Sequence, residues 1–306
     1  EDLLRWTDDN LAQGNLGSNL PAWLWGSDEA GDWRVLDTNP ASDADLWLAY
    51  SLLEAGRLWQ RSDYTQVADA LLQQIKMREV VSLPGSGPML LPAPHGFRIK
   101  QGGWRFNPSY LPGFILQRFA QHDPSGPWAA MQKTAHALLQ QAAPQGLAPD
   151  WYVVTPSGEV LEDPESGPYG SYEAIRVYLW AGLWPDTDLD SLALVQGMAR
   201  VIAQTETIPE RVNTRTGETE NVAPPGFHGA LLPYWQRLEE RKMYNDQLAN
   251  NLGNQMGRAE SETTPQDYYG RVLTLFGSGW FHDYYRIDEH GRTSPRWSRN
   301  CCEILH

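Results

Sequence analysis

Ala41-Ser42-Asp43-Ala44-Asp45-Leu46-Trp47-Leu48-Ala49-Tyr50-Ser51 sets two carboxylates two residues apart, directly ahead of a long apolar run. Ser42 and Asp43 are of the N-capping type. Asp45 then falls in the first helical turn, where the positive end of the helix dipole favours negative charge. Downstream, Leu46, Trp47, Ala49, Tyr50, Leu52, Leu53, Ala55, Leu58 and Trp59 cover most of the helix circumference. A helix apolar on nearly every side is expected to be buried. Carboxylates at the mouth of such a helix are costly to desolvate unless paired or used. Asp43 and Asp45 are therefore the first candidate site residues.

Helical periodicity recurs outward from this stretch. Tyr64, Val67, Ala68, Leu71, Leu72 and Ile75 repeat at three and four residues, which predicts an amphipathic helix with one wet face. Residues 110–120, 128–141, 192–202, 227–238 and 267–276 read as further helices, and residues 173–183 as a second helix that is apolar nearly all round. Buried helices alternating with half-wet ones fit two layers, an inner and an outer. Strand signals are short: Val80–Leu83, Met89–Leu91, and Tyr152–Val154 turning through Pro156-Ser157-Gly158 into Val160-Leu161. These predict hairpins in loops. The expectation is an all-α chain in one domain over 1–306. Its first helix is expected to be incomplete, because Glu1-Asp2-Leu3-Leu4-Arg5-Trp6 reads as helix interior with Leu3, Leu4 and Leu11 on one face. Residues 245–265 read as a polar insertion.

Composition narrows the chemistry. With 24 Lys and Arg against 38 Asp and Glu, the 306-residue chain carries a formal charge of −14, which repels nucleic acid and anionic membranes. No window approaches the roughly 18 apolar residues of a membrane span. The 14 Trp exceed ordinary core needs; indole faces stack on sugar rings and indole N–H groups donate to hydroxyls. A Trp-rich core and a Trp-lined groove both remain open. Cys301 and Cys302 are adjacent, a spacing that disfavours a disulfide between them. The seven His follow no metal-binding spacing, and Gly-rich phosphate loops and Gly-x-Ser-x-Gly are lacking, so neither metal nor cofactor is expected.

The second acidic candidate is Glu173 in Ser171-Tyr172-Glu173-Ala174-Ile175-Arg176. Ser171 can cap, which places Glu173 in the first turn of the second buried helix. Arg176, three residues on, lies on the same face and can pair with it. An ordinary helix ion pair is the plain alternative. Inner helices of a two-layer barrel can gather their N-termini at one end. Two carboxylate-headed helices and many aromatic platforms then suit acid–base work on a neutral polymer, and glycoside hydrolysis above all.

The run from Ala41 to Trp59 resembles the signature of glycoside hydrolase family 8, with Leu48 where the family usually has Ile or Met. Trp104-Arg105-Phe106-Asn107-Pro108-Ser109-Tyr110-Leu111-Pro112, Ser171–Arg176 and Leu273-Thr274-Leu275-Phe276-Gly277 are similar to family segments too. The likeness is greatest to the periplasmic endoglucanases that accompany bacterial cellulose synthases. It implies an (α/α)6 barrel and inverting cleavage of β-1,4-glucan, with no cofactor. It also implies a periplasmic or secreted setting, and the cellulose export machinery as partner. Glu173 occupies the position of the family's catalytic base, an Asp in the cellulase subgroup. Asp43 matches the acidic residue that holds the sugar at the point of cleavage, and Arg176 would orient the base. Asp45 is either a cap or a supporting group. Tyr172, Trp23, Trp25, Trp104, Arg105, Asn107 and Tyr110 are the substrate-binding candidates. The family's general acid lies in a Ser-Glu-Gly motif that no segment of 1–306 matches. The expectation is that the family's N-terminal segment is missing here. The rival expectation is a catalytically inactive glucan-binding protein with an aromatic groove.

Overall fold

The computed structural model describes residues 1–100, 102–184, 189–240 and 267–299. The polar stretch at 245–265 and the Cys301-Cys302 pair lie outside the described residues. The chain forms two compact units, each drawn from separate stretches of sequence: Glu1–Phe106 with Ile115–Thr134 and Val153–Glu159, and Asn107–Phe114 with Ala135–Tyr152 and Val160–His306.

The first unit begins with α1 (Asp2–Leu11) and the hairpin β1 (Leu24–Ser27) and β2 (Trp33–Asp37), paired antiparallel with a bulge between Leu24 and Trp25. The apolar run becomes α2 (Ser42–Trp59), as its pattern predicts. Its side-chain caps do not form. Ala41 takes the cap position, and the buried Ser42 hydroxyl has no partner. Gln60, in the left-handed region at φ 55°, ends the helix and turns the chain into α3 (Ser62–Arg78). So short a connection makes the two helices close neighbours. Gly56 permits the approach, since a Cβ there would strike Thr65 and the Arg61 carbonyl. Leu46, Leu53, Leu71, Leu72 and Ile75 fill the core. The predicted hairpin follows as β3 (Val80–Leu83) and β4 (Gly87–Leu90), with Val80 opposite Leu90, and then β5 (Trp104–Phe106). A buried ion pair also belongs to this unit: Arg118 Nε donates to Glu54 at 2.7 Å, and Arg57 donates to the same carboxylate.

Pro112 divides the helix expected over 110–120 into a single 3₁₀ turn, Pro108–Tyr110, and α4 (Gly113–His122). Then come α5 (Trp128–Ala142), β6 (Tyr152–Val154), β7 (Val160–Glu162), β8 (Tyr169–Gly170) and α6 (Ile175–Leu183), every residue of which is buried except Arg176. The helix expected over 192–202 is two pieces, α7 (Ser191–Leu194) and α8 (Gly197–Thr205). The break lets the Gly197 N–H reach the Gly146 carbonyl at 2.8 Å, an approach with no room for a Cβ. β9 (Pro209–Asn213) pairs with β8 and with β10 (Thr219–Val222). Helices α9 (Pro225–Glu240) and α10 (Tyr268–Phe281) meet along glycines: a Cβ on Gly277 would strike the Gly229 carbonyl, the one for which Pro233 has no N–H. The hairpin β11 (Tyr285–Ile287) and β12 (Thr293–Pro295) and the short α11 (Arg296–Arg299) complete the described chain.

Buried aromatic side chains of the second unit rest their polar tips on backbone. Tyr178 Oη accepts from the Ala148 N–H at 2.9 Å, Tyr234 Oη donates to the Val195 carbonyl at 2.8 Å, and Trp180 Nε1 donates to the Ser109 carbonyl at 2.9 Å. Among the described residues no helix is long and apolar enough to cross a membrane.

Candidate active site

In the second unit Glu173 sits two residues before α6, ahead of the cap residue Ala174, rather than in its first turn. Residues 171–174 form a turn held by Asp150, a residue that the sequence reading missed. Asp150 Oδ1 accepts the N–H groups of Ser171, Glu173 and Ala174 at 2.8, 3.2 and 2.8 Å, and its Oδ2 accepts the Ser171 hydroxyl at 2.5 Å. One carboxylate thus satisfies donors that a helix start would leave orphaned. Ser171 is a donor to this bracket and not the cap.

The Glu173 carboxylate is 35% exposed and is held through one oxygen. Asn107 Nδ2 donates to Oε2 at 2.8 Å, and Arg176 pairs with the same atom. Asn107 is fixed in turn, its Oδ1 accepting from the Ser109 N–H at 2.9 Å and the Ser109 hydroxyl at 2.7 Å. Oε1 is left for a proton from solvent. The Arg176 guanidinium lies 5.6 Å from the Tyr110 ring centroid, and Tyr110 packs on Trp151 at 6.0 Å. Residues 107, 110, 173 and 176, singled out in sequence, therefore come together.

Tyr172 lies on the same turn. It is 44% exposed, edge-on to Phe227 at 5.1 Å, and its hydroxyl donates to Glu210 at 2.5 Å. The Tyr269 hydroxyl donates to the Tyr172 carbonyl. Hydrogen bonding to Glu210, with burial second, pushes the Tyr172 hydroxyl up to about 12, so it stays protonated as a donor.

In the first unit Asp43 is half-buried at the head of α2, and its Oδ1 accepts the Ala44 N–H at 2.9 Å. Asp45 is no cap. It is 1% exposed and lies against Glu79, which is fully buried where α3 passes into β3. Burial first, then the charge of Asp45, pushes the Glu79 carboxyl up to about 10; burial likewise drives Asp45 well above the carboxylate range. Glu79 was invisible in sequence. Its one signal is an acidic residue abutting Val80-Val81.

The aromatic candidates of this unit divide. Trp23 is exposed; the Asn39 N–H, and then the nearby Trp23 indole, hold the Asp37 carboxyl below its usual range. Trp25 packs edge-on against Trp6 with centroids 5.6 Å apart. Trp104 is half-buried, its Nε1 without a partner among the described residues, and Arg105 is tied through its N–H to the Phe97 carbonyl at 2.9 Å. Among the described residues no group of three His, Cys, Asp or Glu is placed to hold a metal.

Comparison with known proteins places this arrangement. The profile of "Glycosyl hydrolases family 8" matches residues 1–283. An endoglucanase of Xanthomonas axonopodis pv. citri is 44% identical over 99% of this chain and 78% of its own length. An endoglucanase of Escherichia coli K12 is 40% identical over 98% of this chain and 79% of its own. The crystal structure of an endo-1,4-D-glucanase from Vibrio fischeri superposes with a TM-score of 0.86 at 37% identity, covering 96% of this chain and 85% of that one. The helical order, the hairpins between helices and these likenesses agree: the chain belongs to glycosyl hydrolase family 8, whose fold is the (α/α)6 barrel.

Proposed function

We infer that the protein is an endo-β-1,4-glucanase that cleaves internal bonds of cellulose-like glucan with inversion. The observation that supports this reading is Glu173, a carboxylate anchored through Oε2 by Asn107 and Arg176 and free at Oε1 to take a proton. In an inverting displacement, water attacks the anomeric carbon while a carboxylate removes its proton. We assign that base role to Glu173. Arg176 and Asn107 hold its orientation, so the rotor is set before the substrate arrives. Asp43 is assigned to hydrogen-bond the sugar at the point of cleavage. Tyr172, Tyr110, Trp104, Trp23 and Trp25 are assigned as stacking platforms, and Arg105 as a hydroxyl donor. The leaving oxygen needs a proton from an acid on the opposite face, a role given to neither Glu173 nor Asp43.

We further propose that the reaction takes place in the periplasm or outside the cell, on glucan handled by cellulose synthesis and export machinery. The likeness of the sequence motifs to endoglucanases of that setting supports it. Two measurements test the enzymatic reading. Carboxymethylcellulose viscosity should fall faster than reducing ends appear, and proton NMR of the first products should show the α-anomer. Glucan binding without cleavage would favour the inactive binding protein instead, and a β-anomer would remove the base role.

A further inference from the structure

We propose that Glu79 is a positioning residue for the reaction: it keeps its carboxyl in the acid form and donates that proton to Asp45, and this acid–carboxylate pair fixes the first turn of α2, which carries Asp43. The inference rests on the role assigned to Asp43 above.

The geometry leaves few alternatives. Asp45 and Glu79 are 1% and 0% exposed, and Asp45 Oδ2 and both Glu79 oxygens meet no donor among the described residues. An ionised carboxylate only accepts hydrogen bonds, whereas a protonated one gains an O–H donor. Two buried carboxylates side by side cannot both ionise without a large desolvation and repulsion cost. A single proton between them removes the repulsion and satisfies two oxygens at once. The charges that face the pair act in opposite directions, and the balance favours the acid form. Asp43, on α2, adds a negative charge; Arg78, beside Glu79, is the cation that opposes the shift, and it is outweighed by burial and by Asp45.

Backbone links make the pair a clamp. The Leu91 N–H donates to the Glu79 carbonyl at 2.9 Å, and the Ser42 N–H donates to the Pro92 carbonyl at 3.0 Å. Residues 91 and 92 therefore tie Glu79 to the first residue of α2. The Ser42 hydroxyl, the expected side-chain cap, makes no bond that could do this instead.

The test uses the intact enzyme with Glu79→Gln and Glu79→Leu. Glutamine presents a permanent N–H donor to Asp45, while leucine keeps the bulk without the donor. At neutral pH, Glu79→Leu should lower kcat about 10- to 100-fold, the scale of a misplacement near 1 Å, and Glu79→Gln should restore it. The infrared difference between wild type and Glu79→Gln at pH 7 should contain the band of a protonated carboxyl. Absence of that band overturns the proposal whatever the activity. The band with an unchanged kcat in Glu79→Leu overturns the positioning role. If wild type itself does not cleave glucan, the enzymatic reading fails and the positioning role falls with it, while the infrared result still reports the proton. Should Glu79→Leu not fold, the band, together with loss of kcat in wild type but not in Glu79→Gln as pH rises towards 10, decides.

Discussion

The mouths of α2 and α6 look alike in sequence, each a carboxylate at the head of a strongly apolar helix, yet they solve the same electrostatic problem in opposite ways. At α6, donors surround the acids: Asp150 receives three N–H groups and a hydroxyl, and Glu173 is held by Asn107 and Arg176. At α2, burial is deeper and donors are missing, so Asp45 and Glu79 are driven towards the protonated state. Donors delivered by the fold complete the hydrogen bonding of a carboxylate and fix its orientation. A buried acid without them keeps its proton and serves as a hydrogen-bond donor. Which role a carboxylate takes is thus decided by the donors that the fold delivers, and not by its place at a helix start.

The sharpest way to break this comparison is one change made at both mouths. Glu173→Gln removes the proposed base while keeping shape and the contact with Asn107. It should lower kcat on soluble cello-oligosaccharides by about 10²–10⁴-fold, the usual worth of a positioned base, with the unfolding midpoint little changed. Glu79→Gln should leave kcat at neutral pH close to wild type. Equal losses at the two positions would erase the distinction between them.

Asp150 comes next in size. Asp150→Ala strips the acceptor from three N–H groups, each costing about 1–3 kcal/mol when left unsatisfied in a buried setting. The second unit should lose on the order of 3 kcal/mol by urea unfolding. Asp150→Asn, which keeps one carbonyl oxygen for those N–H groups, should lose less. Activity should fall along with stability, because the turn that carries Glu173 would no longer be fixed.

How far each mouth could be read in sequence follows from the same physics. Periodicity is local, so the buried helices, the amphipathic α3 and the β3–β4 hairpin were legible from neighbouring residues. Asp43, Glu173 and Arg176 stand out by their place at the heads of apolar runs, and likeness to family motifs adds Asn107. The partners that these acids meet in the fold were not legible. Asp150 lies 21 residues before the Ser171 it holds, in a loop with no periodic signal, and Glu79 reads as an ordinary charged residue at a helix end. Donor and acceptor meet only after folding, so an unpaired buried acid and a well-served one have the same letters. Helix ends also misled. Ser42 and Ser171 are good capping residues by type, yet in the fold α2 begins without a side-chain cap and Ser171 gives its hydroxyl to Asp150.

A smaller effect sharpens the α2 side. Burial holds the folded-state pKa of Glu79 above its ordinary value of 4.5, up to about 10. Such a group contributes stability that is fully present below the unfolded value and is lost as pH rises through the folded one. Between about pH 5 and 9, wild type should therefore lose up to about 1.4 kcal/mol per pH unit from this proton, as far as other groups do not offset it. Glu79→Gln should flatten that slope by the same amount. An identical slope in the two proteins would mean that the pair holds no extra proton.

The smallest effect belongs to Tyr172, on the outer edge of the α6 mouth. Its ring is half open to solvent and steadied by Phe227, while its hydroxyl is fixed on Glu210. Tyr172→Phe keeps the stacking face and removes only that hydrogen bond, worth about 0.5–1.5 kcal/mol when the pair is neutral and somewhat more to a charged partner, less whatever solvent returns. If Tyr172 is a sugar platform, Phe should change KM less than threefold and leave kcat alone. Tyr172→Ala removes the face as well and should raise KM about tenfold, in keeping with an aromatic contact of roughly 0.5–1.5 kcal/mol beyond the area it buries. Were Phe as damaging as Ala, the hydroxyl and its tie to Glu210 would be the functional part, and Tyr172 would join Asp150 among the groups that hold the turn. Were neither to move KM, Tyr172 would serve the packing of the second unit alone, and the donors around Glu173 would account for that mouth without it.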